Sequence, residues 1–467
     1  MYKLDYTNVR QEVIGTEHGI DLDFTFSNYS QKITNILKEI KTKRDNAYPN
    51  YHWLNFGDDE NIVKEVLEYA DMVRGKFEDI LIVGNGTTVF GVESALKSLL
   101  KPFWNTREKD QRDNFPRIHF LKYIDPDTIN EFPKIKDMKK CLFIIASKDC
   151  ANPSVMSLFM IAKRRLEYEI GENYRMHMLI ITVHGSVLEQ IAYQEAYKCF
   201  VVQEKLGFNF YSQVSLVPMA LTGLSIEEFI SGIHDTIENT LNNRLVENNT
   251  AQVALLHHYL RTQRNKYITV IIPYAERLLL LPKWFSYLVE ETLTRDMTND
   301  NQYAPHGQIC YNSQGSGDQR SLLQMMAEGP NDKQITIINV EKFNSDNAIP
   351  EYFQYTSIGY LGGKKLSELT NAEMEALKMV LVDKQRPNIT LTLPEINPYE
   401  IGSIMSSMTL GVLIKSYLYN IDPFHIPQLE QMYDYICAQL GRYGYEHTLE
   451  SMRAKKAMFT TLPALLE

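Results

Sequence analysis

The sequence has few cysteines and no excess of basic residues. Its five cysteines are spread over 467 residues without any C-x-x-C pair, which predicts reduced thiols and excludes a disulfide framework or a zinc-type spacing. The formal net charge is −10, and lysines and arginines are scattered along the chain, so a nucleic acid is excluded as the main partner. We therefore expect no metal, no cofactor and no nucleic-acid surface.

Long apolar runs and several catalytic motifs are also missing. No stretch reaches the roughly 18 uninterrupted apolar residues of a membrane span, and residues 1–13 lack the apolar core of a secretion signal. No G-x-x-x-x-G-K-[ST] loop, H-E-x-x-H pair or nucleophile elbow occurs. These absences predict a cytoplasmic protein without a membrane partner that is neither a P-loop enzyme nor a zinc protease.

What is present is a succession of short apolar strands and amphipathic helices. Runs that are apolar throughout are typical of strands buried on both faces of a parallel sheet. A capping-box pattern, S-I-E-E, then begins a helix at 225–242. The first half is predicted to contain strands at 79–84, 118–124, 140–147, 177–183 and 198–202.

The second half repeats this pattern with fewer strands, predicted at 267–274, 335–340 and 388–393. The fold class is therefore α/β, with two doubly wound, flavodoxin-like parallel-sheet domains, the second sheet being smaller. The Met-rich stretch from Pro398 to Leu418 is interpreted as core or as a dimer surface. The predicted domains are a helical arm at 1–45, a larger first domain at 46–245, a second domain at 246–420, and a helical segment at 421–467 that packs back on the first domain.

A glycine-rich turn, V-G-N-G-T-T, follows the first strand and opens a helix. Gly84 and Gly86 would let the backbone approach an anion at a helix N-terminus, and Thr87 would add a hydroxyl. Val89 occupies the third glycine position of the dinucleotide fingerprint, so nucleotide binding is not supported. A tight turn that only joins strand to helix is an equal alternative.

A second anion site is suggested by S-K-D-C-A-N-P at 147–153, again between a strand and a helix. Ser147 and Lys148 could meet a phosphate, and Asn152, beside the helix start, is a further predicted ligand-binding residue. Asp149 opposes this, because a carboxylate 4 Å from a phosphate charge costs about 4 kcal/mol at an effective dielectric of 20. The alternative is that the acidic side chain only caps the helix.

Two other pairs carry titratable groups. Glu290 and Glu291 lie at the end of a predicted helix, where one of them could act as a general base if it faced a pocket; otherwise they form a solvated pair. His257 and His258 lack the i, i+4 spacing of metal ligands and are interpreted as packing or surface residues.

The order of these segments resembles that of the glucose-6-phosphate isomerase family. The family's G-I-G-G-S and the helix after it are similar to G-N-G-T-T and its helix. Its N-P-F-D-Q-P block is similar to D-P-F-H-I-P here. The resemblance implies two sugar-isomerase domains, a homodimer and a sugar-phosphate or related sugar ligand. The similar segments are 3–8, 51–59, 84–96, 200–232 and 422–433.

The resemblance also assigns positions to the chemistry of aldose–ketose isomerisation. Glu291, in E-E-T-L-T-R, falls on the family's base, whereas Gly207 falls on its arginine. Arg320 falls on its ring-opening histidine, and Tyr433 on its lysine. Only a larger shift of the alignment, to Lys205 or His306, would refill the arginine or histidine role.

Two functions follow from this resemblance. The first is a binding, regulatory or structural protein with a degenerate site and weak or no isomerase activity. The second is an active isomerase, converting glucose 6-phosphate to fructose 6-phosphate or acting on another sugar. In it Glu291 is the base, and Arg320 or Tyr433 takes an acid or electrostatic role. A less anionic ligand is a third hypothesis, favoured by Asp149.

Overall fold

A computed structural model describes residues 2–135, 137–148, 150–203 and 207–460. In these residues the chain forms two five-stranded sheets and a two-stranded ribbon. The strands are β1 (Lys3–Asp5), β2 (Asp79–Val83), β3 (Arg117–Leu121), β4 (Cys141–Ala146), β5 (Met178–Val183), β6 (Lys198–Val202), β7 (Ile268–Pro273), β8 (Arg295–Met297), β9 (Tyr303–His306), β10 (Ile309–Asn312), β11 (Lys333–Lys342) and β12 (Asn388–Glu395).

Helices connect the strands and cover both sheets. The α-helices are α1 (Gln11–Ile14), α2 (Leu22–Asp45), α3 (Glu60–Val73), α4 (Gly86–Leu99), α5 (Pro126–Ile135), α6 (Pro153–Ile170), α7 (Val187–Gln194), α8 (Gln213–Leu221), α9 (Ile226–Asn242), α10 (Asn249–Arg264), α11 (Leu280–Leu293), α12 (Gln319–Glu328), α13 (Leu366–Asp383), α14 (Pro398–Tyr419), α15 (Pro427–Gln439) and α16 (Glu446–Thr460).

The first sheet has the strand order β3-β2-β4-β5-β6, and all its neighbours are parallel. Every residue of β2 and β4 is buried, because helices on both faces exclude water from a parallel sheet. On one face Leu81, Phe143 and Ile180 pack with α6 residues such as Leu158 and Leu166. The five strands predicted from continuous apolar runs are confirmed.

The second sheet has the order β1-β12-β11-β7-β10. Its inner pairs are parallel, and β1 runs antiparallel to β12 at one edge. The prediction of a smaller second sheet is wrong, since it also has five strands. The two missed strands are short edge strands: β1 has three residues, and only Cys310 is buried in β10. Neither has the continuous apolar pattern that marks a central strand.

The chain forms two compact units, each built from separate segments. The first-sheet unit consists of the described residues of 75–85, 116–204 and 424–467. The second-sheet unit consists of those of 1–74, 86–115 and 205–423. Both units therefore draw on residues from the predicted 46–245 domain, whose bounds stay a prediction.

Helix α14 is the central helix of the second-sheet unit. By length and composition it could cross a membrane, but 89% of its most apolar 18-residue stretch is buried within the protein. Close approach to α9 explains part of this burial, because a Cβ on Gly232 would lie 2.0 Å from the Tyr399 carbonyl oxygen. The interpretation of α14 as a core helix is confirmed. The alternative interpretation, a dimer surface on this helix, is wrong, because other parts of the same chain already cover the helix.

Candidate functional site

Helices α4 and α11 pack closely within the second-sheet unit. A Cβ on Gly91 of α4 would lie 2.9 Å from the indole nitrogen of Trp284 on α11 and 2.8 Å from the Phe210 ring. Only glycine lets the helices approach this far. Gly91 follows Thr87 by one helical turn, and Glu291 follows Trp284 by two turns, so both polar residues lie on the packed faces.

This packing brings Thr87 and Glu291 into contact. The Thr87 hydroxyl donates a hydrogen bond to Glu291 Oε2, and Glu291 itself is exposed. Gly86 begins α4 with a φ of 75°, in the left-handed region that glycine tolerates best. The structure thus joins one residue of the predicted glycine turn to the predicted base.

Arg295 lies one turn beyond Glu291. Its Nη1 donates to the Glu291 carbonyl oxygen at 3.0 Å, and its Nε to the Asp422 carbonyl oxygen at 3.2 Å. Burial lowers the pKa of Arg295, and the carboxylates of Asp422 and Glu291 oppose this change. An arginine stays protonated near neutral pH, so a cation is bonded to the backbone of the predicted base, not to its carboxylate. The residue-by-residue assignment gave Arg295 no role, although it ends the E-E-T-L-T-R segment.

In the first-sheet unit, Asn152 joins three elements. Its Oδ1 accepts from the backbone N–H groups of Ser154 and Val155 at 3.1 and 3.3 Å, which caps α6. Its Nδ2 donates to Asn85 Oδ1 at 2.7 Å and to the Tyr433 hydroxyl at 3.1 Å. The predicted ligand residue Asn152 and the predicted lysine position Tyr433 therefore meet through a hydrogen bond between an amide and a phenol. Asn85, whose role the sequence did not indicate, bonds to the same amide.

The other predicted phosphate contacts lie at the carboxyl ends of β2 and β4. The Ser147 backbone N–H donates to the Ile181 carbonyl oxygen at 3.1 Å, which extends the pairing with β5. Lys148 has an exposed side chain that makes no ion pair with the described residues. Gly84 is buried directly after β2. Asp149, the residue that argues against phosphate binding at this loop, lies outside the described residues.

Gly207 is fixed by close backbone contact. Its φ is 92°, and a Cβ would lie 2.1 Å from the Asn50 carbonyl oxygen and 3.1 Å from the Trp53 ring. An arginine at this position would require the chain around Asn50 to move. Lys205 and the His306 side chain, the alternatives for the missing roles, lie outside the described residues.

Arg320 is exposed in the first turn of α12 and makes no ion pair with the described residues. His257 and His258 are buried, at 4% and 6% exposure, so their interpretation as packing residues is confirmed. Among the described residues, no group of three or more His, Cys, Asp or Glu side chains is arranged to hold a metal ion.

Comparison with known proteins identifies the family. The family model described as phosphoglucose isomerase matches residues 58–431. The chain belongs to this family. Glucose-6-phosphate isomerase from Carboxydothermus hydrogenoformans is 28% identical over 463 residues, which cover 97% of this chain and 98% of the relative. The probable glucose-6-phosphate isomerase from Methanococcus maripaludis is 29% identical over 430 residues, 91% of each chain.

Solved structures agree with the phosphoglucose isomerase fold. A hypothetical protein from Thermus thermophilus has a TM-score of 0.84 at 25% identity, covering 94% of this chain and 100% of that protein. A glucose-6-phosphate isomerase from Chlamydia trachomatis has a TM-score of 0.72 at 16% identity, covering 85% and 76% of the two chains. The predicted α/β fold class is confirmed except for the smaller second sheet, and the resemblance is confirmed.

Proposed function

We propose that this member of the phosphoglucose isomerase family binds a sugar or sugar phosphate and has weak or no isomerase activity. The observation that carries the proposal is the network around Asn152. Where the family resemblance calls for a phosphate loop and a lysine, the side chains are a neutral amide and a neutral phenol, hydrogen-bonded to each other. A binding or regulatory role follows.

The hydrogen bonds of Asn152 affect whether a phosphate can bind at the start of α6. A phosphate at a helix N-terminus needs free backbone N–H groups. The Asn152 side chain already accepts from two of them, those of Ser154 and Val155. The remaining predicted contacts, Gly84, Gly86, Thr87, Ser147 and Lys148, stay proposals.

Catalysis is reduced further if Gly207 and Arg320 hold the arginine and histidine positions. Loss of one stabiliser of a developing oxyanion costs on the order of 10²-fold to 10³-fold in rate. Loss of a general acid or base costs a similar factor, roughly 10²-fold to 10⁴-fold. Independent losses of this size leave little turnover.

An active isomerase is the second candidate, and one observation favours it. The exposed Glu291 carboxylate accepts from Thr87, and the Arg295 guanidinium bonds to the Glu291 backbone carbonyl and interacts electrostatically with that carboxylate. This retains an oriented base and a neighbouring positive charge, as proton transfer next to a carbonyl requires. Arg320 or Tyr433 would then supply the acid or electrostatic role.

An isomerase assay separates the two candidates. Purified protein is incubated with glucose 6-phosphate or fructose 6-phosphate, and product is measured for the natural chain, for Glu291→Gln and for Glu290→Gln. The proposal expects trace turnover or none in all three. Turnover that is lost in Glu291→Gln and kept in Glu290→Gln, which changes the neighbouring exposed carboxylate, establishes the active isomerase instead.

Ligand binding is tested separately by restoring the family's phosphate loop. The variant combines Asp149→Ser, Cys150→Gly, Ala151→Thr and Asn152→Thr, and threonine at 152 can still cap the helix. Glucose 6-phosphate, 6-phosphogluconate, glucose and gluconate are compared for their effect on Tm. We expect phosphorylated sugars to raise the Tm of the restored variant more than that of the natural chain. Equal shifts in both proteins contradict the role given to the loop.

The homodimer is proposed from the family resemblance, and the cytoplasmic location is proposed from the sequence. Sedimentation velocity over a range of protein concentrations tests the first, and fractionation of the source cells tests the second.

A further inference from the structure

A small cavity lies in the second-sheet unit, between α10, α11, α14 and the second sheet. Its volume of about 30 Å³ accommodates about two water molecules, since one needs roughly 10–15 Å³. A sugar does not fit. Polar and apolar side chains share the lining, and nearly all of them are buried: Tyr2, Thr250, His257, Phe285, Ser407 and Lys415 among others.

Lys415 projects from α14 to this cavity and is 2% exposed. Its Nζ lies 5.6 Å from the centre of the Phe285 ring. Within the described residues it makes no hydrogen bond and no ion pair, which is rare for a buried lysine. A buried charge without a partner is strongly unfavourable, so the ammonium lacks the compensation that buried cations ordinarily have.

The titratable groups that line the cavity or act on Lys415 supply no negative charge. Burial lowers the pKa of His257 to about 3, which keeps its imidazole neutral, and raises the pKa of Cys310 to about 12, which keeps its thiol protonated. Burial likewise raises the pKa of the Tyr2 phenol. Arg261, also on α10, adds positive charge near Lys415. Glu290, an exposed carboxylate on α11, acts on Cys310, but it is not among the charges that act on Lys415. The titratable groups of the lining other than Lys415 itself are therefore neutral, and Arg261 adds positive charge.

The other polar groups of the lining are hydroxyls that bond to one another. Ser407 Oγ lies 2.7 Å from the Tyr2 hydroxyl and 2.8 Å from Thr250 Oγ1. A hydroxyl can rotate its proton towards whatever occupies the cavity. Such a lining can solvate a small anion but cannot itself balance a charge.

We propose that this cavity binds a small monovalent anion of halide size, held by the Lys415 ammonium. Burial lowers the pKa of Lys415 to about 8, so the charged form still predominates at neutral pH. Anion binding favours that form and should weaken as pH rises above about 8, because the neutral amine offers no charge. The anion site does not depend on whether the protein binds a sugar or acts as an isomerase.

A melting experiment with chloride tests it. Protein is prepared in sodium methanesulfonate, whose anion exceeds the cavity, and chloride replaces methanesulfonate at constant ionic strength and pH 7. We expect a saturable rise in Tm for the natural chain and for Lys32→Met, which removes an exposed lysine on α2. Lys415→Met should show no rise. An equal rise in Lys415→Met, or no rise in the natural chain, overturns the proposal.

A second variant leaves the lysine in place. A Cβ on Gly411, which also lines the cavity, would meet nothing within 4 Å, so Gly411→Ala occupies part of the space without breaking a contact. We expect its half-saturating chloride concentration to rise about tenfold, equivalent to about 1.4 kcal/mol. Crystals soaked in bromide should show anomalous density beside Lys415 Nζ. Density for water alone in the soaked crystals overturns the proposal.

Discussion

At the scale of single residues, several glycines of this chain determine what can surround the candidate site. Gly91 lets α4 and α11 approach until Thr87 reaches Glu291. Gly207 holds a left-handed backbone against the Asn50 carbonyl oxygen, 2.1 Å from where a Cβ would lie. At both positions neighbouring atoms already fill the space that a Cβ would need, so a side chain at either position would displace part of the fold.

Replacement of Gly207 by alanine should therefore destabilise the second-sheet unit. The left-handed φ and the overlap with Asn50 together predict a loss of about 1–3 kcal/mol in the free energy of unfolding. Urea unfolding followed by tryptophan fluorescence measures the change, because Trp53 lies next to this residue. Gly317→Ala is the control, since a Cβ there meets nothing within 4 Å; equal midpoints for the two variants would contradict the prediction.

At the scale of elements, the sequence predicted what depends on local pattern. Continuous apolar runs identified all five strands of the first sheet. The short edge strands β1 and β10 were missed, because pairing with β12 and β7 supplies what their own sequences lack. The contact between Thr87 and Glu291 could not be predicted for a related reason. It depends on the packing of α4 against α11, and these helices are about two hundred residues apart in the sequence.

A charged network on the surface of the first-sheet unit links α6 to the loop after α7. Glu195 accepts from Lys163 at 2.8 Å and from the Tyr174 hydroxyl at 2.7 Å. The bonds from Lys163 and then Tyr174 lower the pKa of Glu195 from its ordinary value of 4.5. A carboxylate whose pKa is lowered by folding stabilises the folded state at any pH above its pKa in the unfolded chain. This contribution is lost as pH falls through its pKa in the folded protein.

The prediction for this network is a pH-dependent effect of Glu195→Gln. At pH 7 the variant should lose up to about 1 kcal/mol of stability, as for an exposed ion pair. The difference from the natural chain should shrink as pH falls below 4.5. Urea midpoints at several pH values measure it. Glu172→Gln, which removes an exposed carboxylate without an ion pair to the described residues, should show no such trend, and a constant deficit for Glu195→Gln would contradict the assignment.

At the scale of the whole molecule, each unit is assembled from segments that are distant in sequence. The first-sheet unit includes the described residues of 424–467, although its strands end at Val202. Helix α15 packs against α6, with Cys437 and Ala438 buried, and Tyr433 bonds to Asn152. The predicted packing of the C-terminal segment on the first domain stays open to a direct test.

Removal of α15 provides that test. A chain that stops after residue 423 loses two buried side chains and the Asn152–Tyr433 hydrogen bond. The first-sheet unit should therefore lose about 2–5 kcal/mol of stability. A chain that stops after Tyr445 is the matched control, because it loses only α16 and the residues beyond it, and the described residues of α16 include no buried side chain. Hydrogen exchange of the β2 and β4 amides measures the effect, since their slowest exchange reports the opening of the sheet. Faster exchange is expected only in the shorter chain. Equal protection in both truncated chains would show that α15 contributes nothing to the first sheet and would remove Tyr433 from the proposed site.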